Sequence, residues 1–307
     1  MTLQNPKLYS TLRRSALMAV IIAGCPTSSQ ALNEVHAYGI SRFSTATTCG
    51  SGFSTHSVHL ETTDSFLDTF RDLKDDGKWD QVSEIHNTAV HGSYFTDDAK
   101  ESTCACSNYQ PSCACIGSDT GTNLGADDSD VFFIHSHGFS NDAKTRTGFV
   151  TGTRTTDCTP TTSGNMLWDA DLDIAVVKTC QSGDYDVAIN GEFWQMIGDD
   201  SSFRMWNSFH GNSSCGNHVK NYVEDYSEDS IYNGVGENWL DEAYDWDAGA
   251  DNDDCPTSVV FGSSYSNCNS MYRYGGWKDR RVTGNRTTAY IWYIAGCDPA
   301  GARQLPN

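Results

Sequence analysis

A chain of 307 residues with 38% hydrophobic and 11% aromatic content can bury the core of one large domain or two ordinary ones. Its formal net charge of -20 argues against a nucleic-acid partner, which would require a basic face, and fits a soluble exported protein.

The first residues read as an export signal over 1–31, because Arg13 and Arg14 precede the apolar run "ALMAVIIAG" and small residues follow it. That run is too short to span a bilayer as a helix, so no transmembrane helix is expected. Two exits are open. "SSQA" ends at Ala31 with small residues where a signal peptidase reads, and "IIAGC" ends at Cys25 in the manner of a lipoprotein box that would anchor a lipid there. Either exit puts the protein outside the cytoplasm: extracellular, periplasmic or lipid-anchored at the cell surface. Of the 12 cysteines, Cys25 falls in this leader, leaving an odd number for an oxidising compartment and predicting one thiol outside the disulfide framework.

Residues 32–307 read as a single α/β domain. "VHAYGISRF" alternates as a first strand, and "DSFLDTFRDLKDDG" puts Phe66, Phe70 and Leu73 on one helical face before Gly77. A cysteine-rich insertion at about 100–128, "CACSNYQPSCAC" and its flanks, lacks periodicity and is expected to be a disulfide-held loop rather than a zinc site. "DVFFIHSHG" and "DIAVVKTCQSG" are continuous apolar runs of strand length, the pattern of parallel strands covered on both faces, with "GFVTGTRTTD" suggesting a hairpin between them. Helices are expected at "SSFRMWNSFHG" and "GENWLDEAYDW", and strands at "SVVFG" and "TTAYIWYIAG". Trp206, Phe209, Trp239 and Tyr244 sit at helix-compatible spacings and are read as core.

Both apolar runs end in glycine-containing turns, and open parallel sheets bind ligands at strand carboxyl ends. If the strands are neighbours, His137 and Cys180 face one crevice. Histidine is the usual partner that converts a thiol into a nucleophilic thiolate, and the backbone N–H groups of Gly138 and Cys180 are placed to hold an oxyanion. The plain alternatives are a disulfide at Cys180 and a His137 that caps a turn.

The pair "VFFIHSHGFS" and "IAVVKTCQSGDYD" resembles the two signature blocks of the caspase-like cysteine peptidases, and legumain-type sequences come closest through their Cys-x-Ser-Gly turn. The matching positions are His137, Gly138, Cys180, Ser182 and Gly183. The resemblance implies a caspase-like three-layer α/β sandwich with a mostly parallel sheet, His137 as base, Cys180 as nucleophile, and an oxyanion hole at Gly138 and Cys180. It spans about Asp130 to Asp186 and departs at Ser136, where legumain-type chains have Asp, and at Lys178 and Thr179. Later segments resemble a group of exported microbial proteins with the same two strand ends.

His135 shares a strand face with His137 and is expected to pack beneath it or orient it. With Asp184 and Asp186 just after the cysteine turn, it is a candidate substrate contact, the two carboxylates for a basic side chain. A metal reading competes: His135 and His137 form a His-x-His pair for which His210, His218 or an Asp would have to complete the ligand set. Asp245, Asp247, Asp251 and Asp253 alternate around Gly249 as a weak calcium candidate, for which a solvated acidic loop is the plainer reading. The sequence therefore points to an exported cysteine endopeptidase acting on a peptide or protein, with no cofactor expected beyond that calcium. An inactive caspase-like binding module is the alternative, and a metal-dependent hydrolase the weaker one.

Overall fold

Residues that alternate between two apolar environments define the central sheet. In β1 (Glu34–Gly39), Val35 and Ala37 face one core while Tyr38 faces the other. In β3 (Val131–His135), Val131 and Phe133 face the first and Phe132 and Ile134 the second. In β7 (Ile174–Lys178) the split falls between Ile174 and Val176 on one side and Ala175 and Val177 on the other. Period-two alternation with apolar residues at every step is what a strand buried on both faces requires. Each fully buried phenylalanine here contributes roughly 1.5–3 kcal/mol through burial.

The computed structural model describes residues 33–43, 56–97, 124–151, 159–198, 201–245, 254–277, 286–294 and 301–306. The leader with Cys25, most of the cysteine-rich insertion, and Asp247, Asp251 and Asp253 lie outside these residues, and Asp245 is exposed.

An eight-stranded mixed sheet runs in the order β11-β10-β9-β8-β7-β3-β1-β2. β2 (Gln81–His86), β1, β3, β7 and β8 (Met205–Gly211) pair in parallel. β9 (Asp254–Gly262), β10 (Thr288–Tyr293) and β11 (Gly301–Leu305) continue it antiparallel. A second sheet of three antiparallel strands joins β4 (Gly138–Ser140), β5 (Thr147–Thr151) and β6 (Thr159–Thr162), so the expected hairpin is a β4-β5-β6 meander.

Four helices supply one apolar layer: α1 (Val58–Asp75), α3 (Val219–Asp229), α4 (Val235–Ala243) and α5 (Tyr265–Tyr274). The expected face of α1, Phe66, Phe70 and Leu73, is buried in it, and α1 ends just ahead of Gly77. The opposite face is covered by the small sheet, the short α2 (Tyr185–Ile189) and 3-10 turns carrying Phe193 and Met196. Helices are thus concentrated on one side. Among the described residues no helix is long and apolar enough to cross a membrane.

One expected helix is a strand. "SSFRMWNSFHG" contains β8, in which Trp206 enters one core and Met205 and Phe209 the other. The three-residue spacing of Trp206 and Phe209 fits a helix face, but an odd spacing in a strand sends the two rings to opposite sides, and a segment lodged between two other strands needs both sides apolar. Trp239 is buried in α4 as core, and Tyr244 is half-buried at the end of that helix.

Candidate active site at the carboxyl edge of the sheet

The parallel strands deliver their carboxyl ends to a common edge, and the polar turns after β3, β7 and β8 meet there. β3 and β7 are direct neighbours, with His135 in register with Lys178. The chain leaves β3 through Ser136, whose hydroxyl donates to the Val150 carbonyl at 2.6 Å. That bond gives Ser136 a structural task and leaves no carboxylate at this position. His137 follows, half-buried, its carbonyl accepting from Val150 N–H at 2.8 Å.

Gly138 is fixed by contact. A Cβ at this position would run into the carbonyl oxygen of Cys180 and come within 2.7 Å of the Thr179 side chain. Only a residue without a side chain lets the β3 exit lie against the β7 exit. Because His137 and Val150 form a hydrogen-bonded pair, Gly138, opposite Phe149, occupies the alternate position of the antiparallel ladder. A residue there turns its N–H away from its partner strand.

Cys180 is half-buried at the turn after β7, its thiol 3.8 Å from the Ser213 carbonyl. The next residue, Gln181, has φ +56, a left-handed conformation that costs a non-glycine residue roughly 1–2 kcal/mol. Five bonds hold it: its N–H donates to the Gly211 carbonyl at 2.6 Å, its carbonyl accepts from the Thr147 hydroxyl at 2.6 Å and Asp184 N–H at 3.3 Å, and its Oε1 accepts from Ser140 N–H at 2.9 Å and Ser140 Oγ at 2.8 Å. The Ser-Gly that follows has a structural explanation. Ser182 Oγ donates to the strand-end carbonyls of Val177 at 3.1 Å and Thr179 at 2.9 Å. At Gly183 a Cβ would overlap the hydroxyls of Ser208 and Thr257, so the turn is pressed directly onto β8 and β9.

Lys178, at the end of β7, has a structural explanation in its surroundings. It is fully buried, bonds Ser213 Oγ and the Ser214 carbonyl, and lies 4.7 Å over the Phe209 ring. Its ammonium thereby pins the loop between β8 and α3, the loop that carries Ser213 and Cys215, against the end of β7.

The other candidates separate from the dyad. Asp184 caps α2 by accepting from Asp186 N–H at 2.9 Å, and also meets Lys144 Nζ at 2.6 Å, Ser140 Oγ at 2.9 Å and His210 Nδ1 at 3.5 Å. Burial would raise its carboxyl, but His210, Lys144 and Ser140 outweigh burial and hold it below the usual carboxylate range. Its expected role as a substrate contact gives way to a structural one, since it is buried and already paired, whereas Asp186 is exposed. His210 Nδ1 also lies 3.1 Å from the Tyr185 backbone nitrogen, and His218 sits at the start of α3 with Nε2 3.0 Å from Ser214 Oγ.

His135 is also corrected as a substrate contact. It is sealed from solvent on the helix face of β3 and packs against His59 of α1, the two rings tilted by 32° at a separation of 4.0 Å. The His-x-His pair therefore splits: among the described residues, the group whose donor atoms converge is His59, His135 and Cys215. His137 packs instead on Phe43 at 4.4 Å, with His56 and His59 each 5.8 Å away. Burial pushes the His59 imidazole down to about 3 despite its bond to the Ile40 carbonyl, with His137, His56 and Lys178 adding to the effect. Burial, then His59 and Lys178, puts His135 well below its ordinary range. Both rings are neutral at neutral pH.

His56, His59 and Cys215 lie outside any strand-end motif, so sequence reasoning missed them. His59 stands one helical turn ahead of the Thr63–Phe66 segment, and Cys215 follows β8 in "GNSSCGNH", a polar stretch beyond the expected helix "SSFRMWNSFHG". The cysteine count also needs revision. Cys180, Cys215 and Cys268 are all thiols among the described residues, not a single leftover. Cys268 is a core residue whose thiol burial pushes up to about 12, which makes it inert.

No protein-family model matches this chain, and no curated protein matches it.

Proposed function

We propose that the protein is an exported caspase-like cysteine hydrolase, an endopeptidase, with Cys180 as nucleophile and His137 as general base and acid. The observation that carries the reading is the direct abutment of the two strand ends, β3 with His137-Gly138 against β7 with Cys180, at the carboxyl edge of a parallel sheet. The order β2-β1-β3-β7-β8 makes the two strands direct parallel neighbours, which supports a shared site for the imidazole and the thiol.

In the proposed cycle His137 takes the Cys180 proton and the thiolate attacks a peptide carbonyl. The N–H groups of Gly138 and Cys180 hold the resulting oxyanion, and His137 returns the proton to the leaving amine. Water, deprotonated by His137, then attacks the thioester and releases the acid and the free thiol. The left-handed turn at Gln181 supports this role by holding Cys180 at the tip of a tied turn.

The test is digestion of a mixed peptide library by the mature protein, read by mass spectrometry as new termini. Cleavage is expected in the wild type and lost in Cys180→Ala, in His137→Ala and after stoichiometric alkylation of Cys180. Cleavage that survives in Cys180→Ala, or a folded wild type that cuts nothing while Cys180 resists iodoacetamide, overturns the assignment.

A further inference from the structure

Behind the dyad, on the helix face of the sheet, three donors from three elements converge. His59 comes from the first turn of α1, His135 from the end of β3, and Cys215 from the loop after β8, and their ligand atoms all lie within 4.8 Å of one another. His59 Nδ1 meets the Ile40 carbonyl at 2.5 Å, which fixes the proton on that nitrogen and leaves the Nε2 lone pair facing Cys215 Sγ at 3.4 Å. A backbone carbonyl holding the outer nitrogen is the usual orienting arrangement for a metal-bound imidazole. Independently, His135 is fully buried, and neither of its ring nitrogens meets a hydrogen-bond partner among the described residues. A buried imidazole left in that condition is destabilising, and a bound ion would remove the cost.

We propose that His59, His135 and Cys215 form a binding site for one d10 metal ion, Zn2+ or Cu(I). Two neutral imidazoles and one thiolate are the donors that such borderline and soft ions select, whereas Ca2+ and Mg2+ take oxygen. Ligands bound to one ion at about 2.0–2.3 Å stand roughly 3.3–4 Å apart, so the His59–Cys215 spacing already fits and the third donor needs only a small inward turn. Binding deprotonates Cys215, and that proton goes to solvent. The thiolate offsets the Lys178 ammonium, which pins the Cys215 loop and whose charge opposes a cation here. The ion would tie α1, β3 and the β8–α3 loop together directly behind His137. The site is independent of whether the crevice cleaves peptides.

The experiment uses the full mature chain, metal-free and with its disulfides intact, since Cys215 is already a thiol. Zn2+ is added in one arm, and Cu(I) against a competing chelator under anaerobic conditions in the other. Bound metal is counted after desalting, and iodoacetamide labelling is mapped by peptide. One retained equivalent of either ion is expected, slowing alkylation of Cys215 at least tenfold while Cys180 still reacts. Cys215→Ser is expected to weaken binding at least 100-fold, and Cys180→Ser to leave it unchanged. Failure of both ions to bind stoichiometrically overturns the site, as does protection of Cys180 in place of Cys215. The protection measurement needs no variant, so it stands even where Cys215→Ser fails to fold.

Discussion

The two edges of the parallel strands carry opposite chemistry. At the amino edge, carboxylates are engaged with backbone: Asp130 Oδ2 accepts from Glu34 N–H at 2.7 Å, and Asp127 accepts from Asp169 and Ala170 N–H at 2.8 and 2.9 Å. At the carboxyl edge stand His135, His137, Lys178 and Cys180, with His59 and Cys215 brought up against them. The first set fastens loops to strand starts. The second includes an imidazole with unsatisfied nitrogens and a half-exposed thiol. Buried polar groups are normally satisfied, so a buried imidazole with both ring nitrogens unmet marks a place where binding or catalysis is expected.

The sharpest test of this division removes the proposed nucleophile. Cys180→Ala is expected to cut peptidase turnover by a factor of about 10³ or more while leaving the thermal midpoint nearly unchanged, since the thiol is half-buried and makes one long contact. Scanning calorimetry beside the cleavage assay separates the two readouts. A large fall in midpoint would mean that Cys180 is structural and that the edges do not differ as argued. Gly138→Ala is the next strongest. Its added methyl meets the Cys180 carbonyl and the Thr179 side chain, so the strand exits must part. About a 100-fold loss of turnover is expected from such a displacement, together with slower alkylation of Cys180. Unchanged alkylation and turnover would show that the contact is not what aligns the site.

How much of this was legible in the sequence follows from what each signal encodes. Continuous apolar runs with glycine-containing ends mark β3 and β7 because local periodicity and turn chemistry are written in neighbouring residues. β8 was misread because Trp206 and Phe209 are three apart, and only the flanking strands show that the two rings need opposite faces. His137 and Cys180 lie at strand ends, where a motif can be found. His59 and Cys215 reach the same place from the start of a helix and from a loop 156 residues apart, a meeting that no local pattern records. Asp184 was visible as a carboxylate near the turn, but its partners Lys144, Ser140 and His210 come from other elements, and they decide that its charge is already used.

At the amino edge, Asp127 supplies a pH test. Burial pushes its carboxyl up to about 7, against backbone N–H donors of Asp169, Ala170 and Leu172 that pull it down. Since the unfolded value is about 3.9, the native state keeps a proton that the unfolded chain has lost between those two values. Stability should therefore fall as pH rises from about 4 to 7, by up to a few kcal/mol, and then level off. Urea titrations across that window measure the slope, which Asp127→Asn should flatten. A wild-type profile that is already flat would place the proton elsewhere.

The smallest effect is expected where the two kinds of edge overlap. Asp184 lies in the turn system of Cys180 yet behaves like an amino-edge carboxylate, buried and met by several donors. Asp184→Asn removes the charge that Lys144 meets at 2.6 Å, with Lys144 itself 40% exposed, so water screens part of the loss. A cost of about 2 kcal/mol at neutral pH follows, below that of breaking a fully buried pair. Because the folded-state carboxyl is held lower than its unfolded value of about 3.9, its stabilisation is present above that pH. It is lost as pH falls through the folded value, so wild type and variant should converge in acid. In turnover, the same variant should leave peptides with a basic residue before the cut bond as good or poor as before, because the carboxylate is already paired. A selective loss of basic substrates would return Asp184 to the substrate pocket and would mean that Lys144 swings away when substrate arrives.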